Sequence, residues 1–250
     1  MNLHEFFIVC PLVFLAGFVD AIAGGGGLIS LPAYMFAGVP VHNAIATNKL
    51  SSATGTAVST WHLVKSRCVD LFLVPGTVAC AFVGSIAGAN LALIISDKVL
   101  KTVLVFVLPV VAFCVLRDKN LKPVIPEGFT RKKQYLIMAA CSFVIGIYDG
   151  FYGPGTGTFL LLVLTGAARY TMKEAAGTTK AINLSSNVAA FVTFVIHGKI
   201  IYTLGLAAAI CSILGNYIGS GLVLGNGQKI VRPLILVVLA ILFVKILLGN

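Results

Sequence analysis

Two glycine-rich stretches, one in each half of the chain, most strongly limit what this sequence can fold into. Residues 146–157 read GIYDGFYGPGTG and residues 17–28 read GFVDAIAGGGGL, each between apolar runs. When the two are aligned without a gap, Asp149 falls on Asp20. Inside a helix, glycine costs about 1 kcal/mol relative to alanine and proline about 3 kcal/mol. Each apolar segment is therefore predicted to break at its glycine-rich stretch.

The composition places these breaks in a membrane protein. Of the 250 residues, 58% are hydrophobic and 10% are charged, whereas soluble domains carry about 25% charged residues. Because one span needs about 20 apolar residues, we predict an all-α, polytopic bundle of about seven to nine membrane segments. Backbone groups freed by a break inside the bilayer cost several kcal/mol each unless they are satisfied, so broken backbone at that depth usually lines a binding site.

The charge balance is basic, with 18 Lys and Arg against 8 Asp and Glu. We attribute this excess to cytoplasmic loops, which retain positive charge, and expect no nucleic-acid partner. The strongest basic segment, residues 117–133, is predicted to be a cytoplasmic linker. The six cysteines show no CxxC spacing and are interpreted as small apolar residues, so no metal site or cofactor is predicted. The N-terminal run lacks the basic flank of a signal peptide and is predicted to be the first span.

The second half of the chain repeats the first at a nearly constant offset. Lys180 stands 131 residues after Lys49, and Thr178 stands 131 residues after Thr47. The same offset relates further pairs: Gly84 and Gly215, Gly88 and Gly219, Lys98 and Lys229, and Lys101 and Arg232. We therefore predict a single membrane domain made of two homologous repeats and a linker, at residues 1–116, 134–250 and 117–133 respectively.

Loop charge favours an inverted relation between the repeats. The turn at residues 38–43 carries no Lys or Arg, whereas the corresponding turn at 166–174 carries Arg169 and Lys173. Such a difference in Lys and Arg content between equivalent turns indicates that the two turns lie on opposite sides of the membrane. With the linker in the cytoplasm, inversion places both termini on the periplasmic side. Other loop charges do not show this contrast, so a parallel arrangement stays open.

Two lysines within otherwise apolar segments predict an anion site. Lys49 lies in TNKLSS and Lys180 in TTKAIN, where a charge costs at least about 2.5 to 3.5 kcal/mol. The alternative is that both side chains extend to headgroups from near a helix end. Lysine beside hydroxyls suits an anion, as do helix N-termini restarting after Gly27 and Gly157. The predicted binding residues are Lys49, Lys180, Thr47, Asn48, Thr179, Gly25, Gly26, Gly155, Thr156, Gly157, Asn183 and Asn187.

The aspartates of the two glycine-rich stretches have several interpretations. Asp20 and Asp149 could neutralise the buried lysines, take up protons during transport, or cap broken helix backbone. As binding groups they would instead make the chain a carrier of cations or metal ions. Similarly, Asn48, Asn183 and Asn187 fit either a ligand site or hydrogen bonding between helices.

These motifs resemble the TauE/SafE sulfite exporter-like family of membrane permeases. The resemblance extends over nearly the whole chain and is most specific in the second-half motifs YDGFYGPGTGTF and GTTKAINLSSN. It implies a bacterial inner-membrane protein of duplicated helical halves that exports small sulfur-containing anions, such as sulfite or sulfonates. The halves differ where Gly27 meets Thr156 and where Asn48 meets Thr179, which predicts an asymmetric site.

Within that interpretation, the chain is expected to be a secondary transporter that exposes a site between its repeats alternately to each side. The sequence contains no HExxH, no GxSxG and no cluster of metal ligands, so an enzyme is disfavoured. Its predicted partners are a small anion and the lipid bilayer. Coupling to protons or sodium and the formation of a homodimer stay open.

Overall fold

The computed structural model describes residues 3–70, 72–100, 102, 103, 106 and 130–222, and all regular structure in these residues is helical. The all-α prediction is confirmed. In chain order the helices are α1 Leu3–Ala23, α2 Gly27–Phe36, α3 Val41–Lys65, α4 Val74–Ile94, α5 Arg131–Phe151, α6 Thr156–Gly166, α7 Met172–Ile196 and α8 Tyr202–Leu222. Most of the predicted linker, most of residues 101–116 at the end of the first predicted repeat and residues 223–250 at the end of the second lie outside the described residues.

Five of these helices, α1, α4, α5, α7 and α8, are long and apolar enough to cross a membrane. Their apolar side chains face outward, as contact with lipid requires, at positions such as Val83, Leu91, Val144, Leu206 and Ile210. Helix α3 has 25 residues but is too polar to belong to this set. Its polar side chains point into the protein instead: Thr47, Asn48, Lys49, Ser51 and Thr56 are all buried. The chain is therefore a multi-pass helical bundle with a polar interior.

Both glycine-rich stretches interrupt the helices, as predicted. The first break separates α1 from α2, and the second separates α5 from α6. Gly24 (φ +72°) and Gly155 (φ +79°) adopt left-handed backbone, which glycine accepts without a Cβ clash. The short helices begin at Gly27 and Thr156, slightly earlier than predicted. They do so because the carbonyls of Gly26 and Gly155 already accept hydrogen bonds from the first helical turn.

The two breaks meet inside the protein. Thr158 donates from its backbone N–H to the Gly24 carbonyl at 3.2 Å and from its hydroxyl to the Ala23 carbonyl at 3.0 Å. A Cβ on Gly24 would lie 2.6 Å from the carbonyl carbon of Gly157, so a side chain cannot be accommodated at this contact. The α1–α2 hairpin and the α5–α6 hairpin therefore touch at their tips.

Glycines set the close packing of two equivalent helix pairs. On α8, Gly215 packs against the carbonyl of Phe14 in α1, and on α4, Gly84 packs against the carbonyl of Phe143 in α5. One turn later the same pairs of helices meet at Gly219 with Phe18 and at Gly88 with Ile147. Because residue numbers rise together along each pair, α1 runs parallel to α8 and α4 runs parallel to α5. Small residues at such contacts let membrane helices approach closely.

Equivalent helices of the two halves run in opposite directions. In the centre, α3 and α7 are antiparallel, because Lys49 contacts Asn187 while Thr60, further along α3, contacts Lys180. Hydrogen bonds near helix ends place α3 parallel to α8 and α4 parallel to α7: Thr47 with Ile201, His62 with Ser220, and Asp70 with Tyr170. Helices α1, α3 and α8 thus run one way and α4, α5 and α7 the other. Each of these six helices is antiparallel to the one that the sequence offset assigns to it, which is the relation an inverted arrangement requires.

One face of the molecule collects basic side chains. Asp70, between α3 and α4, accepts a hydrogen bond from the Tyr170 hydroxyl at 2.9 Å and lies 3.3 Å from Nη1 of Arg131. Burial and the bond to Asp70 raise the pKa of Tyr170. These contacts bring together the α3–α4 turn, the start of α5 and the α6–α7 turn. We call this region the basic face, and it carries Lys65, Arg67, Arg131, Lys132, Lys133, Arg169 and Lys173.

Candidate functional site

Lys49 of α3 is buried against the second helix break. Its Nζ lies 2.9 Å from Oδ2 of Asp149 and donates a hydrogen bond to Oδ1 of Asn187 at 3.0 Å. Lys49 and Asp149 each expose only 2% of their side chains. Gly153 (φ +96°) lets the break approach this closely, since a Cβ there would lie 2.9 Å from Nζ. A cation from the first half of the chain is thus held by a carboxylate and an amide from the second half.

Lys180 of α7 makes the reciprocal contact at the first break. Its Nζ lies 2.6 Å from Oδ2 of Asp20 and also donates to the Asp20 backbone carbonyl. The backbone N–H of Gly26 reaches Oδ1 of the same carboxylate at 3.3 Å. Lys180 is 3% exposed and Asp20 is 16% exposed. Both lysines are therefore directed into the protein, each paired with an aspartate from the other half.

The two carboxylates have unequal surroundings. In addition to its lysine, Asp149 accepts hydrogen bonds at 2.7 Å from the hydroxyls of Thr156 and Ser186, one on each oxygen. At the corresponding positions of the first half stand Gly27 and Gly55, which carry no hydroxyl. The carboxylate of the first half therefore has its lysine and one long backbone hydrogen bond. Buried charges are stabilised mainly by such donors, so the second half holds its aspartate more firmly.

Both helix breaks line one cavity of about 30 Å³. Because one water needs about 10–15 Å³ by this measure, the cavity has room for two or three waters or for a compact ion. Ten of the residues that the sequence predicted for the site or its charge pairs line it: Asp20, Gly26, Asn48, Lys49, Asp149, Gly155, Thr156, Gly157, Asn183 and Asn187.

Four predicted residues do not line this cavity. Lys180 is turned toward its aspartate, and the Thr47 hydroxyl accepts a hydrogen bond from the backbone N–H of Ile201 at 3.1 Å. The Gly25 carbonyl accepts a hydrogen bond in the first turn of α2, and the Thr179 hydroxyl is buried without a partner among the described residues. The cavity is thus asymmetric, with Lys49 on its wall and Lys180 behind it.

Hydrogen-bond acceptors on the cavity wall include residues that the sequence did not single out. Asn216 of α8 donates from Nδ2 to the Ser212 carbonyl at 3.0 Å, which leaves its Oδ1 without a partner among the described residues. Oδ1 of Asn48 is also unpartnered within this part of the chain. Both residues line the cavity and are more than nine-tenths buried. The occupant of the cavity, or water beside it, is therefore expected to donate hydrogen bonds to these two oxygens.

The helix N-termini offer fewer free donors than the sequence predicted. The N–H of Gly26 is directed at Asp20, and the N–H of Thr158 is bonded to the Gly24 carbonyl. The first of these N–H groups therefore binds the aspartate of its own break, and the second binds the opposite hairpin. Lysine, amide and hydroxyl side chains are accordingly the principal donors at the cavity.

Comparison of the sequence with known proteins finds a matching family and several similar proteins. A model of the family described as Sulfite exporter TauE/SafE matches residues 9–246. The "Probable membrane transporter protein YfcA" of Escherichia coli K12 is 35% identical over 98% of this chain and 93% of its own length. The "Probable membrane transporter protein ORF9" of Sinorhizobium sp is 34% identical over 94% of this chain and 89% of its own. No solved structure matches the chain.

Proposed function

This chain belongs to the sulfite exporter TauE/SafE family of membrane transporters, and from that premise we propose that it carries small anions across the bacterial inner membrane. Sulfur-containing oxyanions such as sulfite or organosulfonates are the proposed substrates. The mechanism is secondary transport by alternating access, with the cavity at the two helix breaks as the substrate site.

One observation carries this proposal: two buried lysines form crossed ion pairs at the point where the two broken hairpins meet. A buried ion pair is costly to build and adds little stability of its own, so it favours a role in binding. Lys49 faces the cavity together with the amide side chains of Asn183 and Asn187. These groups suit an oxyanion, because an ammonium group supplies charge and the neutral donors supply direction.

The size of the cavity favours a compact substrate. A volume of about 30 Å³ fits an ion of a few heavy atoms, such as sulfite, better than a longer organosulfonate. In this conformation, sulfite is therefore the preferred candidate, and a longer substrate would require the hairpins to separate.

We further propose that the two halves are inverted repeats that move against each other during transport. The antiparallel directions of the equivalent helices and the matched packing at Gly84 and Gly215 support this proposal. Loops rich in Lys and Arg stay in the cytoplasm, so the basic face is assigned to the cytoplasmic side. The start of α1 then lies on the periplasmic side, and the periplasmic C-terminus remains a prediction.

Transport of a cation is the second candidate. The carboxylates of Asp20 and Asp149 line the cavity, as do Asn48 and Asn216, whose Oδ1 atoms have no hydrogen-bond partner in the part of the chain that the structure describes. Oxygen atoms are the ligands that hard cations prefer. Each carboxylate is already paired with a lysine. Among the described residues, no group of three or more His, Cys, Asp or Glu could hold a metal. The crossed pairs favour the anion.

A flux experiment separates these candidates. The purified protein in proteoliposomes would be assayed for transport of radiolabelled sulfite, with Lys49→Ala and Lys180→Ala compared to Lys65→Ala, an exposed lysine at the end of α3. We expect each buried-lysine variant to lose at least about tenfold in flux, since about 1.4 kcal/mol of lost binding is tenfold, while Lys65→Ala stays near wild type. Gel filtration would check that all three variants are folded.

Full sulfite flux in both buried-lysine variants would refute the anion site. Inhibition of sulfite flux by divalent metals, together with metal uptake that depends on Asp20 and Asp149, would favour the cation carrier instead.

A further inference from the structure

The four buried charges of the site sum to zero, and this raises a problem of charge balance. Lys49 and Lys180 are matched by Asp149 and Asp20, with three of the four side chains at most 3% exposed. An anion that enters the cavity adds negative charge to a neutral cluster in a medium of low dielectric, where an uncompensated charge is costly. A positive charge must therefore accompany the anion, and among the described residues that line the cavity the two carboxylates are the groups that can take one up as a proton.

Asp149 is poorly placed to accept that proton. Its Oδ1 accepts from Thr156, and its Oδ2 accepts from Ser186 and lies 2.9 Å from Lys49. A proton on Asp149 would have to displace one of these three donors at 2.7–2.9 Å, and the hydrogen bonds that remained would still stabilise the charged form of the carboxylate. Asp20 also has a donor on each oxygen among the described residues, but only two in all, and the one on Oδ1 is long at 3.3 Å. Asp149 is also only 2% exposed. This side chain is suited to remain a permanent anion that holds Lys49 in position.

Asp20 has the opposite properties. Its carboxylate is the most exposed of the four charged groups at 16%, lines the cavity, and lacks the two hydroxyl donors because Gly27 and Gly55 replace them. Its donors are Lys180 at 2.6 Å and the Gly26 N–H at 3.3 Å. Water in the cavity can therefore deliver a proton to this carboxylate.

The charged neighbours of Asp20 come from three helices. Lys180 of α7 contacts it directly, while Lys49 of α3 and Asp149 of α5 share the cavity with it. Within the described residues, the side chains that α2, α6 and α8 contribute to the cavity are uncharged, for example Ser30, Thr156 and Asn216. Protonation of Asp20 would thus chiefly weaken its electrostatic interaction with Lys180.

We propose that Asp20 binds one proton with each anion and that this proton releases Lys180 to the substrate. This inference rests on the proposed anion transport and assigns its coupling ion and coupling residue. A proton from water in the cavity binds Oδ2 of Asp20, the ion pair with Lys180 is lost, and no covalent bond of the protein changes. The cluster then carries one net positive charge, which a monoanion such as hydrogen sulfite neutralises. Asp149 stays ionised throughout.

The test measures protons and anions in the same vesicles. Proteoliposomes containing a trapped pH-sensitive dye would be given radiolabelled sulfite, and the ratio of protons to anions moved would be determined for wild type, Asp20→Asn, Asp149→Asn and Asp70→Asn. We expect about one more proton per anion in wild type than in Asp20→Asn, because hydrogen sulfite can release a proton of its own in either protein, and the wild-type ratio in Asp70→Asn, whose carboxylate lies at the basic face. Asp149→Asn should lower the flux and leave the ratio of the remaining flux unchanged.

A second variant separates loss of the carboxylate from misfolding of Asp20→Asn. Asp20→Glu keeps a carboxylate and should keep a wild-type ratio, with the pH dependence of flux displaced. The proposal is overturned if Asp20→Asn moves as many protons per anion as wild type, if Asp149→Asn is the variant that loses the additional proton, or if a sodium gradient drives wild-type flux without proton movement. Absence of sulfite flux in wild type would instead refute the anion transport on which this inference depends.

Discussion

At the scale of single residues, the two halves of the site differ by a few hydroxyl groups. Thr156 and Ser186 both donate to Asp149, whereas the first half has glycine at both corresponding positions. One half therefore holds its ion pair in place, and the other leaves its carboxylate open to the cavity. Such a division of roles would let one aspartate maintain the site while the other changes its charge during transport.

The hydroxyl of Thr156 should be worth measurable stability. Thr156→Val keeps the shape of the side chain but removes a donor from a buried carboxylate, and hydrogen bonds to charged groups contribute about 1.5–3 kcal/mol. Thr165→Val is the matched control, because Thr165 lies on the same helix, is also buried, and donates to a backbone carbonyl of its own helix. We expect the midpoint of thermal unfolding in detergent to fall clearly more for Thr156→Val. Equal effects of the two substitutions would show that the carboxylate does not need this donor.

At the scale of elements, the two broken hairpins depend on each other. The hydroxyl and N–H of Thr158 in α6 bond to carbonyls at the end of α1, and the backbones of Gly24 and Gly157 are in contact. Backbone groups freed by a break in the membrane must find partners inside the protein. Each hairpin tip supplies partners to the other, so neither break is expected to be stable alone.

A methyl group at this contact should disturb both hairpins. A Cβ at Gly157 would lie 2.6 Å from the Cα of Gly24, whereas a Cβ at Gly166, the last residue of the same helix, would meet no atom within 4 Å. Gly157→Ala is expected to abolish sulfite flux and to lower the unfolding midpoint, because backbone cannot give way as a flexible side chain can. Gly166→Ala should stay near wild type in both assays. Normal flux in Gly157→Ala would mean that the tips separate without cost.

At the scale of the whole molecule, the inverted arrangement makes a topological prediction. In a variant without native cysteines, single cysteines would replace Ser66, Ser96 and Lys173, which are all exposed in loops or near helix ends. A membrane-impermeant thiol reagent added to intact cells should label the cysteine at 96 and leave those at 66 and 173 unlabelled, because the latter two belong to the basic, cytoplasmic face. Labelling at 173 from outside would contradict the inversion.

The sequence was sufficient to predict the helical class, the two breaks and the buried lysines, because each is a local feature with a large energetic cost. Neutralisation of the buried lysines by Asp20 and Asp149 was one interpretation of the sequence. The sequence did not show which aspartate pairs with which lysine, since that depends on how α3 and α7 cross. Asn216 was also missed, although it lies within an apolar segment and so carried the same signal as the asparagines that were recognised. Its position on the cavity wall depends on the packing of α8 against α1 and α3.

Selenite provides the most direct test of the anion site, because it shares the charge and shape of sulfite and its selenium scatters X-rays anomalously. Crystals of the wild-type protein would be soaked in selenite, and an anomalous difference map would be calculated. We predict a peak in the cavity between Nζ of Lys49, the amide groups of Asn183 and Asn187 and the hydroxyl of Thr156, and no such peak in Lys49→Ala crystals. Selenium bound only at the basic face, or a cavity peak that persists in Lys49→Ala, would contradict a substrate site built on the crossed ion pairs.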